Sequence, residues 1–475
     1  MTEQKTAFKP SLGLIDATMV VAGSMIGSGI FIVSADITRF VGSSGWLIAV
    51  WVITGFMTIT AAVSYGELSG MFPKAGGQYV YLKEAFNPLA GFLYGWSFFA
   101  VIQTATIAAV AVAFARFTAY LVPELGESNI LFGIAGLKVS AAQLFAIASI
   151  IFLTYTNTKG IQGGKIIQTS FTTVKLLSLF GLIILGFLLV KNSFWGENWQ
   201  NSWHAMQLER VNDKFKTDGE WLPISGFALI GAIAAAMVGS IFSSDSWNNV
   251  TFIAGEIKNP KRNIGLSLFI GTLVVTIIYV TANLMYLNVL PLKGIAFPEG
   301  ERVGVAAANA IFGPNGSYVI AVMIMISTFG CNNGLILAGA RVYYTMANDK
   351  LFFKKTGTLN KNAVPEYALW AQCIVASILC LSGGYNDLLD MIAFVVVLFY
   401  ALTIVGIFVL RRSRPNAERP YKAFGYPVLP AIYIVLALTF CVFLILMKPK
   451  FAGIGLGIVL LGIPFYYLAV SSRKK

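Results

Sequence analysis

Two charged residues of this 475-residue chain stand where a charge is costly. Lys175 lies in TTVKLLSLF and Asp245 in FSSDSWNN, each within a long apolar run. A lone ammonium or carboxylate at such a position implies a partner, a cavity or a ligand. The chain's one histidine, His204, falls between apolar runs. That excludes a site built on several histidine ligands and leaves an acyl-transfer triad within the runs without its base. The four cysteines, Cys331, Cys373, Cys380 and Cys441, sit inside apolar stretches without metal-site spacing. They read as small buried hydrophobes. Neither a metal nor a cofactor is expected, and an enzyme is not expected either.

The chemistry these residues could share is set by two interruptions in apolar runs. The first is Gly27-Ser28-Gly29. Each glycine costs a helix about 1 kcal/mol relative to alanine. By itself the triplet is equally compatible with close helix packing. The second is Ser243-Ser244-Asp245-Ser246, followed by Trp247-Asn248-Asn249. Asp at the middle of a membrane helix costs roughly 2.5–3.5 kcal/mol on insertion scales. Paired interruptions at comparable depth point to an inverted-repeat carrier with its site near the bilayer midplane. Unwinding frees N–H groups on one half-helix, where a carboxylate binds, and carbonyls that accept from an ammonium. An α-amino acid zwitterion carries both groups a few ångströms apart.

Elements long enough to position these breaks are plain in the composition. Hydrophobic residues make up 57% of the chain and charged residues 12%, half the charged share of an ordinary soluble protein. Twelve apolar stretches reach or approach the ~20 residues a span needs: 13–40, 45–72, 88–121, 138–157, 163–190, 225–255, 263–290, 316–346, 366–383, 386–410, 427–447 and 450–470. Loops of only a few residues separate some of them, at Ser382-Gly383-Gly384 and Lys448-Pro449-Lys450. The polar start, MTEQKTAFKP, lacks a cleavable apolar core, so the first span is expected to act as its own insertion signal.

The net charge of +13 sits in short connecting segments, which makes it an orientation signal and argues against nucleic acid. Most basic residues share the side of the N-terminus, including Lys258, Lys261, Arg262, Arg341, Lys350, Lys354, Lys355 and the run around Arg411-Arg412. Arg39, Arg302, Lys448 and a few others take the opposite side. Both termini are therefore expected to be cytoplasmic. The longest loop, about residues 191–224, would lie outside. The fold class is an all-α polytopic membrane protein of one domain, residues 1–475, in contact with the lipid bilayer.

At the breaks and beyond them the sequence resembles the amino acid–polyamine–organocation (APC) superfamily, above all L-type amino acid transporters and bacterial serine/threonine exchangers. The matching segments are GSMIGSGIF at 23–31, YGELSGMFPKAGGQYVYLKEAF at 65–86, TVKLLSLFGLIILG at 173–186, GSIFSSDSWNN at 239–249, GEIKNPKRN at 255–263, FGCNNG at 329–334 and RRSRPNAERPYK at 411–422. The resemblance implies a LeuT-type fold of 12 transmembrane helices. Residues 13–190 would be the first five-helix repeat, 225–410 its inverted partner, and 427–470 two trailing helices. It also implies a secondary active transporter of neutral L-amino acids in the plasma membrane. The substrate carboxylate is carried onto Met25, Ser28 and Gly29 with neighbours Ile26 and Gly27. The amino group goes to backbone carbonyls of both breaks, reaching Ser243, Ser244 and Asp245. Phe242 matches an aromatic that caps the substrate, Trp247 and Asn248 positions just beyond the break, and Thr106 a small polar residue of the third span.

The same resemblance places Lys175 beside the first break, its charge standing where sodium-coupled relatives hold an ion, with Tyr279 as its contact. A fixed ammonium there implies sodium-independent exchange; an ammonium that loads and releases a proton implies symport instead. Departures from the family matter too. Asp245 replaces a glycine of typical L-type members and is open to four readings: binding a cationic group, narrowing the pocket, facing cytoplasmic water as a gate, or capping the second half-helix. The aliphatic run Val395-Val396-Val397 stands where large-substrate members have aromatics. Animal L-type members join a heavy glycoprotein through a cysteine between the third and fourth spans. The loop 122–137 has none, so no disulfide-linked heavy subunit is expected. Glu67 and Glu256 read as ion-pair partners near the cytoplasmic face, and the glycines at 453–457 as packing residues. Rivals from other classes are a membrane enzyme and a channel, which lack their residue clusters, and an amino acid sensor on the same fold, which a flux assay separates.

Overall fold

The computed structural model describes residues 10–134, 137–211, 214–217, 219–382 and 385–471. The polar start before residue 10, Gly383-Gly384 and the last four residues, 472–475, lie outside the described residues. Each of the twelve apolar stretches forms helix. Ten helices are long and apolar enough to cross a membrane: Ser44–Met71, Pro88–Leu121, Ala141–Thr158, Ser170–Leu189, Gly226–Ser243, Pro260–Val289, Pro314–Asn348, Leu388–Ser413, Val428–Met447 and Pro449–Ser471. The remaining two stretches hold shorter helices. The ninth is Glu366–Leu381, and the first is split into Leu14–Met25, a 3-10 turn at Gly29–Phe31 and Ser34–Val41.

The connections are richer than helix alone. Ile130–Ile134 pairs with Leu137–Ser140, Met206–Leu208 with Trp221–Pro223, and Arg210–Val211 with Lys214–Phe215, all antiparallel. The long loop also holds a short helix, Trp195–Trp199. It is pinned to the second span by Ser44 Oγ donating to Asn198 O at 2.6 Å and Gly45 N to Ser202 O at 2.8 Å. Three short α-helices fall in other connections, Gln78–Ala85, Leu292–Ala296 and Val303–Phe312.

Apolar side chains cover the outside as well as the core. Leu188 is 72% exposed and Val435 63%, which suits hydrocarbon rather than water. The inside is where polar groups collect, and most charged side chains there are paired. Arg341, counted in the sequence with the basic residues of the N-terminal side, lies within Pro314–Asn348 and is wholly buried. Its Nε sits 3.1 Å from Glu256 Oε1, a partner distant in sequence that removes the obstacle to burial. Glu67, also buried, takes Arg411 at 2.7 Å and Arg419 at 3.3 Å, and accepts from Ala423 N. Toward the opposite end, Arg39 belongs to helix Ser34–Val41 and meets Glu301 at 2.7 Å, while Lys448 meets Asp390 at 2.5 Å. The two glutamates thus form the ion pairs expected of them.

Candidate functional site

The first break begins where helix Leu14–Met25 makes its last regular bond, Ile26 N to Ala22 O. Ile26 then turns to an extended conformation, and the chain passes Gly27 and Ser28 before the 3-10 turn. Four carbonyls lose their helical donors here, and side chains from other spans supply replacements. Lys175 Nζ donates to Gly23 O at 2.6 Å and Ile26 O at 2.8 Å. Cys331 Sγ lies 3.1 Å from Ser24 O, and Tyr279 Oη donates toward Met25 O at 3.0 Å. The N–H groups of Gly27 and Gly29 receive no such partner among the described residues. Buried carbonyls are satisfied and buried amides are open, a combination that suits an anion.

The second break follows helix Gly226–Ser243. Ser244 ends the helix, Asp245 N still reaches Phe242 O at 3.2 Å, and Ser246 takes a left-handed φ of 66°. Helix resumes at Asn249–Phe252. The two breaks touch. A Cβ placed on Gly29 would lie 2.0 Å from Ser243 Oγ and 3.0 Å from Ser243 Cα, so a larger residue there would force them apart. Tyr279 Oη spans the junction, 3.0 Å from both Met25 O and Ser243 O. One turn and two turns further along the same helix, Asn283 accepts from Ser34 Oγ at 2.6 Å and Tyr286 Oη donates to Ile30 O. The seventh span therefore carries a polar edge that holds both halves of the first.

Lys175 is 1% exposed, deep within its span, so its aliphatic stem does not carry the ammonium to a rim. Asp245 is 7% exposed and accepts from Tyr400 Oη at 2.5 Å. Among the described residues no lysine or arginine pairs with it. Two of its four readings fall away. Its burial does not suit a residue facing bulk water, and helix Asn249–Phe252 has no side-chain cap. What remains is a buried carboxylate between two narrow gaps. One gap is lined by Gln78, Tyr94, Gln103, Asn248, Asn249 and Tyr400, the other by Thr54, Thr58, Ser244, Trp247, Val397 and Tyr433.

The other named residues are all buried. Phe242 packs at the end of its helix, and Ser243 Oγ donates back to Gly239 O. The Trp247 ring packs 4.7 Å from Tyr65 and 5.1 Å from Tyr400. Asn248 donates to Gln78 Oε1. Thr106 is set apart: its hydroxyl is bonded to Ile102 O of its own helix, and it lines neither gap beside Asp245. The aliphatic run does contribute Val396 and Val397 to those gaps, yet the tenth span also supplies an aromatic. Tyr400 follows Val396 by one helical turn, a spacing visible in the sequence, and it is the residue that meets Asp245. Gln78 is the second addition, and its GGQYVY context carried no sign of this contact.

Paired breaks, an ammonium held on freed carbonyls and open amides inside an apolar bundle define a helical membrane carrier fold. The chain belongs to the amino acid permease family, whose pattern it matches over residues 12–469. It is 30% identical to the human large neutral amino acids transporter small subunit 2, over 99% of this chain and 82% of that one. It is 28% identical to the mouse Asc-type amino acid transporter 1, covering 99% and 83% of the two chains. It is 27% identical to the mouse b(0,+)-type amino acid transporter 1, covering 99% and 90%.

Proposed function

We propose that the protein carries neutral L-amino acids across the plasma membrane as a sodium-independent exchanger working by alternating access. The observation that carries this reading is the pairing at the first break. Lys175 occupies the carbonyls of Gly23 and Ile26, while the Gly27 and Gly29 amides stay open for a carboxylate. A tethered ammonium supplies the positive charge that a bound ion would otherwise bring, so sodium has no place to act. Met25, Ile26, Gly27, Ser28 and Gly29 would hold the carboxylate. Carbonyls around Phe242 and Ser243 would take the amino group, and Ser244, Asp245, Trp247 and Asn248 would face the side chain. Tyr279 would keep the two breaks in register, and Thr106 is retained only as a distant wall. The names of the relatives support amino acids as cargo.

The arrangement in the membrane is part of the same reading: 12 spans, two inverted repeats at 13–190 and 225–410, and both termini cytoplasmic. Cysteine is absent from the loop 122–137, and the four cysteines present are buried. The protein would therefore work without a disulfide-linked heavy subunit. The test is reconstitution into sodium-free liposomes. Uptake of labelled neutral amino acid is expected only when unlabelled amino acid is inside. Uptake into empty vesicles driven by an acid-outside gradient would replace exchange with proton symport. No flux of any amino acid, with binding retained, would make the protein a sensor.

A further inference from the structure

We propose that Gln78 is the positioning residue that keeps the inner side of the path shut between exchanges, an inference that rests on the exchange reading above. The segment before helix Gln78–Ala85 folds into the bundle rather than over it. Gly77, at a left-handed φ of 43°, lies so close to the far side of the second break that a Cβ would fall 2.1 Å from Thr251 Oγ1. Gly76 N donates to Phe252 O, Thr345 Oγ1 to Ala75 O, and both Tyr79 Oη and Lys83 Nζ to Asp349 Oδ2. Gln78 is thereby delivered, 1% exposed, to the gap beside Asp245.

There it is the middle of a one-way chain. Thr403 Oγ1 spends its proton on Phe399 O at 2.7 Å, so it can only accept from Gln78. Gln78 Nε2 donates to Thr403 Oγ1 at 3.0 Å, which turns Oε1 toward Asn248 Nδ2 at 3.1 Å. The tenth span thus grips the second break twice, through Tyr400 on Asp245 and through Thr403 and Gln78 on Asn248. Asn249 Nδ2, at the edge of the same gap, is buried with no acceptor among the described residues. Substrate or water entering the gap would give it one. Releasing Asn248 from Gln78 frees the lower half of the second break to swing away; holding it keeps an empty carrier from opening inward.

The experiment uses proteoliposomes loaded with labelled neutral amino acid. Efflux into amino-acid-free buffer is divided by efflux into saturating unlabelled amino acid. Gln78→Leu keeps the volume and the surrounding anchors but deletes both side-chain bonds. Its leak ratio should rise about tenfold over wild type, the factor expected from two lost neutral hydrogen bonds. Thr403→Val removes only the far anchor and should raise the ratio in the same direction, which provides the reading if Gln78→Leu does not fold. A merely structural role would lower both fluxes together and leave the ratio unchanged, and that result in the folded variants overturns the gate. Wild-type vesicles without stimulation by external amino acid would overturn the exchange reading itself.

Discussion

Two buried charges without an ion-pair partner among the described residues, Lys175 and Asp245, are held in opposite ways. The protein turns the ammonium onto backbone carbonyls, those of Gly23 and Ile26 in the first break at 2.6 and 2.8 Å and that of Ser327 at 3.5 Å. It gives the carboxylate one tyrosine hydroxyl and gaps on two sides. An ion that the fold satisfies completely acts as a fixture; one that it satisfies halfway is available to a ligand. Under the proposed exchange reading, that difference would separate a general part of the site, common to every amino acid, from a part that sorts them.

The strongest way to break this comparison is Lys175→Ala. Exchange should fall about a hundredfold for all substrates alike, since charge-assisted bonds to two carbonyls are lost, while the protein stays monodisperse in detergent. Near-normal kinetics would remove the ion-substitute argument. Gly29→Ala comes next: overpacking of roughly 1–3 kcal/mol at the contact with Ser243 should cut uptake by about tenfold or more, and an unaffected variant would mean the breaks do not need to touch. Asp245→Asn should reorder substrates, changing relative KM values by up to about tenfold, without the uniform loss seen for Lys175. A uniform loss there would erase the distinction between the two charges. Tyr400→Phe should shift the same preferences by about fivefold or less, and competition assays with a panel of unlabelled amino acids would resolve it.

Much of this was readable in the residues because membrane burial leaves a local mark. Runs of apolar residues give spans, and GSG and SSDS interrupt them where neighbouring residues alone already disfavour helix. Lys175 stood out for the same reason. The pairings were not readable. Nothing near Arg341 names Glu256, and nothing near Asp245 names Tyr400, because each partner comes from another helix brought alongside by packing. Arg341 consequently reads from the sequence only as one of the basic residues that orient the chain, with no partner named. Gln78 was hidden differently: a short polar segment between two spans looks solvated until its glycines are seen to press its backbone against Thr251.

The ammonium that fills the first break is covalently part of the chain. It cannot be diluted away, outcompeted by another metal or lost when the surroundings turn fresh or briny. A pocket built on a diffusible ion must be refilled on every cycle; this one stands ready-made, and its shape should be indifferent to the salt on either face of the membrane.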